Sequence, residues 1–211
     1  MRRTHVRDDL LLREDDVINH MLYIAGPPGV GKSTLARELT AGWDRIVLPH
    51  APVPHVRLRH PVSGLKIGLE LGVPRESFPG TDALSMSIGP AALQFLLDRT
   101  SAFPFALGEG SRLATRPFLG GLVAAGVKLL FVSLSAPQDV LDYRWKVRGG
   151  KQNPSWRKGA ATRAERMFEW ALLTDGVRTV RSESVDRTGM TEVADEIRDA
   201  FPLIDLRESA A

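Results

Sequence analysis

A glycine-rich run near the amino terminus has the residue types and the spacing needed to hold a polyphosphate. Residues 26–33 read GPPGVGKS and match G-x-x-x-x-G-K-[ST] at every fixed position. Glycines let the backbone curl so that its N–H groups point inward at phosphate oxygens. In this pattern Lys32 reaches the β- and γ-phosphates, and the Ser33 hydroxyl is placed to ligate Mg²⁺. The run therefore predicts a site for a nucleoside triphosphate with Mg²⁺.

The segments on either side of the run are those that a phosphate-binding loop (P-loop) requires. The apolar run at 21–25 has the length of a buried parallel strand, and STLARELTAGW at 33–43 has the apolar spacing of a helix. The amino-terminal end of that helix would attract the negative phosphates. We expect the nucleotide to contact the whole loop, that is Gly26, Pro27, Pro28, Gly29, Val30, Gly31, Lys32, Ser33 and Thr34.

Two carboxylates are candidates for orienting or deprotonating an acceptor hydroxyl, as a phosphotransferase would need. Glu109 lies between glycines after the apolar residues 105–107, at the carboxyl end of a predicted strand, where open α/β sheets bind ligands. Asp82 lies in the Gly/Pro loop FPGTDALS, although a turn or a helix cap would use it equally well. Either could be the base. Arg75 and Arg112 are further candidates, for holding phosphates of the acceptor.

The positive charge of the chain is concentrated in one stretch. The formal net charge is only +3, but residues 144–166 contain eight Lys or Arg against one acid, Glu165. Such a cluster favours an anionic ligand, although a solvated helix face with a basic loop gives the same pattern. Arg144 and Arg148 are four residues apart and so share one helix face. Because a guanidinium suits phosphate oxygens bidentately, we predict that both assist phosphoryl transfer from a lid at about 140–163.

The order of the remaining elements predicts the fold class. Apolar strands alternate with amphipathic helices, which indicates a parallel sheet with helices on both faces. The segment VRLRHPVSGLKIGLEL at 56–71 adds a small β-hairpin insertion, which a parallel core does not need. We therefore predict a three-layer α/β fold of the P-loop NTPase type with a basic lid. A charged arm at 1–20 would precede a single domain at 21–211.

Composition bounds the class of protein. There is no cysteine, which excludes disulfides, thiolate metal sites and cysteine nucleophiles. The first twenty residues alternate charges and lack the apolar core of a signal peptide, and no apolar run has the length of a membrane span. We expect a soluble cytoplasmic protein with no membrane partner. The N-K-x-D motif of Ras-type GTPases and an LSGGQ-like transporter signature are both absent from the sequence.

Four features together resemble the small kinase branch of P-loop proteins, the adenylate-kinase-like and nucleoside-phosphate-kinase-like enzymes. They are the GPPGVGKST loop, the strand end GEGSR at 108–112, the basic GGKQNPSWRKG after the paired arginines, and the ending SESVDRTGMTEVADEI. The resemblance implies an ATP-dependent kinase with Mg²⁺, a lid over the triphosphate, acceptor-binding groups at 108–112 and backbone contacts to adenine near the carboxyl terminus. Its acceptor would be a nucleoside, a nucleotide or a nucleobase.

Departures from the family pattern bear on the acceptor. The chain lacks the Asp-Arg pair of typical thymidylate kinases and the Glu-Arg-Ser of deoxynucleoside kinases. It resembles in addition the phage kinases that phosphorylate a hydroxymethylated base, such as hydroxymethyluracil, within DNA. The basic lid would then touch the strand, and Trp156 could stack on an exposed base. Two alternatives stay open: a nucleotide-regulated switch that binds DNA, and a kinase of a non-nucleotide small molecule.

Overall fold

The computed structural model describes residues 20–64, 66–73, 84–98, 103–147, 149, 153–183 and 186–205. Seven strands run in chain order: β1 His20–Ala25, β2 Asp44–Leu48, β3 His55–Arg59, β4 Lys66–Leu71, β5 Phe105–Glu109, β6 Lys128–Ser135 and β7 Val177–Glu183. Six α-helices accompany them: α1 Lys32–Leu39, α2 Gly89–Leu97, α3 Arg116–Ala124, α4 Gln138–Val147, α5 Pro154–Leu172 and α6 Arg187–Ala200. A short 3₁₀ helix, Pro202–Ile204, follows α6.

All seven strands form one sheet in the order β2-β3-β4-β5-β1-β6-β7. The five strands from β4 to β7 in that order are parallel, and β3 and β2 extend one edge through two antiparallel pairings, β4 with β3 and β3 with β2. The predicted α/β fold with a mostly parallel sheet is thus confirmed. The predicted hairpin is present as β3 and β4, but it is not separate from the core, because β4 pairs in parallel with β5.

Helices cover both faces of the sheet, which gives three layers and two apolar clusters. One cluster includes Phe118, Leu122 and Phe168 and lies beneath α2, α3 and α5. The other includes Leu35 and Ile197 and lies beneath α1 and α6. Strand β1 lies between the clusters, and its residues 21–25 have no solvent exposure. A strand buried on both faces has no polar side to present, which explains the uninterrupted apolar run in the sequence.

The basic segment folds differently from the prediction in one respect. Helix α5 begins at Pro154, where the Asn153 side chain accepts a hydrogen bond from the backbone N–H of Ser155 and caps the helix. The sequence predicts that residues 154–159 belong to the basic loop GGKQNPSWRKG, but they are helical, and Trp156 is a residue of α5.

Within the described parts of the chain, no helix has both the length and the apolar composition needed to cross a bilayer.

The turn between β1 and α1 yields a test of the backbone geometry. Gly26 has φ +144°, and a Cβ there would collide with the carbonyl oxygen of Leu134 and lie 3.0 Å from Val30 Cγ1. We expect Gly26→Ala to lower the free energy of unfolding by about 2 kcal/mol or more. Two costs contribute: the backbone strain of a non-glycine residue at this φ, and the clash of the new Cβ with the Leu134 carbonyl oxygen. Chemical denaturation measures the loss.

Gly120→Ala is the matched control for this test. Gly120 lies inside α3, and a Cβ there would lie at an ordinary contact distance of 3.6 Å from Trp170 Cζ2. This variant should be as stable as the wild type or slightly more so, since alanine favours helix. Equal stability of the two variants would contradict the interpretation of the turn.

Candidate functional site

The loop between β1 and α1 has the backbone form of a phosphate cradle. Three of its residues have positive φ values, +144° at Gly26, +87° at Gly29 and +109° at Gly31. Helix α1 starts directly after Gly31, whose carbonyl oxygen accepts the backbone N–H groups of Thr34 and Leu35, both at 2.9 Å. The first N–H groups of a helix have no partner within it, so this end of α1 can bind an anion.

The Lys32 ammonium is held against the loop itself. Its Nζ donates to the carbonyl oxygens of Gly26 at 3.1 Å and Pro27 at 3.0 Å. The positive charge therefore lies at the P-loop, and its contact with the β- and γ-phosphates stays a prediction. Ser33 follows as the second residue of α1, so its hydroxyl is carried by the first turn of the same helix.

Helix α4 packs directly on the P-loop and contributes a second cation. Arg144 Nη1 donates to the carbonyl oxygen of Val30 at 3.3 Å. A Cβ placed on Gly29 would lie 3.7 Å from the Leu141 carbonyl oxygen and 4.0 Å from Arg144 Cβ, so the two backbones are close. The structure thus places Arg144, a residue of the predicted lid, in contact with the P-loop. Its predicted partner Arg148 lies outside the described residues.

A partly buried cation, Arg157, joins helices α4 and α5. Arg157 Nη1 donates to Asp142 Oδ1 at 2.7 Å, and the guanidinium carbon lies 4.3 Å from the centre of the Trp145 ring. The hydrogen bond from Arg157 lowers the pKa of the Asp142 carboxyl, and a second hydrogen bond, from Gln138, acts in the same direction. Arg157 is one of the eight basic residues at 144–166, a cluster that the sequence analysis associated with an anionic ligand. The structure shows that it binds within the lid instead.

The remaining lid residues are displayed on α5. Trp156 is 41% exposed, and Lys158, Arg163 and Arg166 are exposed on the same helix. The acid of this stretch, Glu165, pairs with Arg181 of β7 at 2.7 Å. The exposed part of the lid therefore keeps a basic surface with an aromatic side chain on it.

Glu109 lies at the carboxyl end of β5, beside the strand that carries the P-loop. It is 4% exposed and stands in register with Ile24, two residues before Gly26. Gly110 N donates to the Ile24 carbonyl oxygen at 3.0 Å, and the buried Tyr23 hydroxyl donates to the Gly110 carbonyl oxygen at 3.0 Å. Alternate residues of a strand share a face. Because Phe105 and Leu107 belong to the cluster beneath α1, Glu109 is on the α1 side.

A second buried carboxylate next to this site was not predicted from the sequence. Glu70 of β4 is 5% exposed, and its Oε2 lies 2.6 Å from Arg45 Nη2. Burial raises the pKa of Glu70, the Arg45 charge opposes that rise, and the nearby Glu109 charge adds to it. The signal in the sequence was a single acid between two leucines in KIGLEL. A buried strand gives such an acid no solvent, so it needs a partner.

Three predicted site residues, Arg75, Asp82 and Arg148, lie outside the described residues, and the choice between Asp82 and Glu109 as base stays open. Arg112 follows β5 and is partly exposed, and its role in holding the acceptor stays a prediction.

No group of three or more His, Asp or Glu side chains suited to a metal occurs in the part of the chain described. Mg²⁺ in kinase sites is bound through one or two protein groups and the phosphates. The Ser33 hydroxyl at the start of α1 and the Glu109 carboxylate at the end of β5 are oxygen donors of the kind that this set requires.

Comparison with known proteins identifies the family of the chain. The family model described as P-loop Nucleotide Kinase3 matches residues 17–193. The chain therefore belongs to the P-loop Nucleotide Kinase3 family, and the resemblance to small P-loop kinases is confirmed. A solved structure titled as a gluconokinase from Sinorhizobium meliloti 1021 has 18% sequence identity and a TM-score of 0.42, and the match covers 88% of this chain and 99% of that chain. No curated protein matches the chain.

The position of Lys32 yields the first test of the site. We expect Lys32→Ala to reduce phosphoryl transfer by roughly 10²-fold or more, because the charge that stabilises the transferring phosphate is lost. The melting temperature should stay close to the wild-type value, because the contacts of the ammonium with the Gly26 and Pro27 carbonyl oxygens lie in the loop and outside the apolar clusters. Lys128→Ala, an exposed lysine at the first residue of β6, is the control and should change neither quantity. A folded Lys32→Ala protein with wild-type turnover would contradict the assignment.

Proposed function

We propose that this member of the P-loop Nucleotide Kinase3 family transfers the γ-phosphate of ATP to a hydroxyl group of a nucleoside, nucleotide or nucleobase acceptor. One observation carries the proposal: a buried carboxylate, Glu109, ends the strand next to the P-loop, in register with Ile24. A protein that only binds nucleotide needs the loop. A kinase needs in addition a group that orients or accepts the proton of the acceptor hydroxyl.

The charged groups around the loop support this chemistry. Phosphoryl transfer depends mainly on positioning and on charge stabilisation. The P-loop N–H groups and Lys32 would hold the phosphates, and Arg144, already bonded to Val30, would add a guanidinium from the lid. Mg²⁺, when bound at Ser33, supplies further neutralisation of phosphate charge. Glu109 would accept the hydrogen bond of the acceptor hydroxyl and take up its proton.

The finer proposal names the acceptor as a hydroxymethylated base, such as hydroxymethyluracil, within DNA. It is supported by the exposed Trp156 and the exposed cations on α5, since a basic surface with an aromatic side chain is suited to a strand with an unstacked base. DNA would then be both partner and substrate.

An acceptor screen tests the proposal as a whole. The wild-type protein is incubated with Mg²⁺ and γ-labelled ATP in the presence of nucleosides, nucleoside monophosphates, sugars, or DNA containing hydroxymethyluracil. Label on a nucleoside, a nucleotide or the modified base would support the proposal. Label on a sugar would indicate a small-molecule kinase. ATP hydrolysis that DNA stimulates, with no label on any acceptor, would indicate a nucleotide-regulated switch.

The role of Glu109 predicts a separation of transfer from binding. We expect Glu109→Gln to slow phosphoryl transfer at least tenfold, about 1.4 kcal/mol in the barrier, while the Kd for ATP stays within about twofold. Single-turnover kinetics and calorimetry measure the two quantities. Glu183→Gln is the matched control, because Glu183 also ends a strand of the sheet but is exposed. If Glu109→Gln transfers phosphate at the wild-type rate, the base lies elsewhere.

The DNA acceptor predicts a strong dependence of binding on salt. Each phosphate contact releases condensed counterions, so log Kd should change with log salt by about 0.7 per contact on single strands and about 0.9 on duplex. Substitution of Lys158, Arg163 and Arg166 by Gln should flatten that slope. Trp156→Ala should cost ~1–3 kcal/mol of DNA affinity and leave ATP affinity unchanged. Fluorescence titration across a salt series measures both effects.

Lys128→Gln provides the control for this series, since it removes an exposed lysine from the first residue of β6. DNA binding with the same salt slope in the triple variant as in the wild type would count against the lid as the contact surface. Absence of salt-sensitive DNA binding at low ionic strength would exclude the DNA acceptor and leave the free nucleoside or nucleotide.

A further inference from the structure

An ion pair between the buried Glu70 and the partly exposed Arg45 connects three elements around the P-loop helix. Arg45 of β2 reaches across β3, and its Nη2 lies 2.6 Å from Glu70 Oε2 on β4. Its other terminal nitrogen, Nη1, donates to Thr40 Oγ1 at 2.8 Å, and Thr40 Oγ1 in turn donates to the Ala36 carbonyl oxygen at 2.8 Å. Thr40 is the C-cap residue of α1, directly after Leu39. The pair therefore ties the edge strands to the helix that begins with Lys32.

Stability alone gives a weak reason for placing a charged Glu70 here. Glu70 is 5% exposed, and its cross-strand neighbours on the same sheet face, Val56 and Leu107, are apolar. Removing a carboxylate from water costs several kcal/mol, and well-packed apolar side chains in place of such a pair are often as stable or more so. An alternative role for the pair is to hold one arrangement of charges, which apolar side chains could not do.

The second observation is the position of Glu70 relative to Glu109. Glu70 is in register with Leu107 on β5, and Glu109 is two residues further along that strand on the same face. The influence of the Glu109 charge on the pKa of Glu70 shows that the two carboxylates are within electrostatic reach. Arg37 of α1 also acts on Glu70, so the charges that face it come from β2, β5 and α1. Glu109 thus has a carboxylate on one side and the P-loop strand on the other.

We propose that Glu70, held by Arg45, is a positioning residue of the phosphoryl-transfer site. It fixes α1 relative to the edge strands, and as a fixed negative charge it disfavours rotation of the Glu109 carboxylate toward β4, so that this carboxylate faces the P-loop. The inference rests on the proposed function, since it assigns Glu70 to the site in which Glu109 serves the acceptor. The consequence is that the charge of Glu70 matters for turnover even where an apolar pair would fold equally well.

The experiment compares two ways of removing the charge. One is the apolar double variant Arg45→Leu with Glu70→Leu, and the other is Glu70→Gln, which keeps the size of the side chain. We expect the double variant to melt within a few degrees of the wild type or above it. In both variants kcat for transfer should fall at least tenfold, while the KM for ATP stays within about twofold. A purely structural role would not separate kcat from KM in a stable protein.

The exposed pair Asp44–Arg59 provides the matched control. It joins β2 to β3 at 3.1 Å, one residue from Arg45, with both side chains more than 40% exposed. Asp44→Asn with Arg59→Gln should leave the melting temperature, kcat and KM at their wild-type values. If this control also lowers kcat with an unchanged KM, any disturbance of the edge strands has that effect, and the specific role of Glu70 is contradicted.

Each remaining result decides the matter. Wild-type kcat in the stable double variant would overturn the inference and leave the kinase assignment intact. If the double variant fails to fold, Glu70→Gln decides alone, and a wild-type kcat there overturns the inference equally. If the wild-type protein transfers phosphate to no acceptor while hydrolysing ATP, the proposed function fails first, and the role of Glu70 fails with it.

Discussion

The pairing of β1 with a parallel strand on each side is the constraint on which the site depends. Strands β5 and β6 align their carboxyl ends with the end of β1, so three strand ends meet at one edge of the sheet. The hydrogen bond from Gly110 N to the Ile24 carbonyl oxygen fixes one side of that edge. On the other side the backbone of β6 at Leu134 leaves room only for a glycine at position 26. Both sides of the P-loop are thus set by the sheet.

The charges at this edge are arranged by the same pairing. The cations Lys32 and Arg144 bond to carbonyl oxygens of the loop, and the carboxylates Glu109 and Glu70 lie on the neighbouring strands β5 and β4. Two cations therefore lie at the loop and the Glu109 carboxylate lies on the strand beside it, while Glu70 is paired with Arg45. A transferring phosphate and an acceptor hydroxyl need these opposite environments within a short distance. The sheet supplies them on adjacent strands.

Contacts within the lid give its basic residues different roles. Arg157 joins α5 to α4 through Asp142 and Trp145, and α4 in turn contacts the P-loop. One cation of the basic stretch thus organises the lid, and others are exposed on α5. A count of charges along the sequence does not separate these two roles. Arg157 and Asp142 are fifteen residues apart, and the packing of α5 against α4 brings them together.

The sequence by itself determined the fold class, the P-loop and the position of Glu109. These follow from local rules: glycine spacing, the apolar run of a buried strand, and the requirement that parallel strands end at one edge. The confirmed parts of the fold and family are of this local kind. Only the tertiary structure decided that β4 belongs to the parallel core, that residues 154–159 are helical, and that Arg45, Thr40 and Glu70 form one network. Those features depend on contacts between segments distant in sequence, and their free energy comes from burial and pairing that no local pattern encodes.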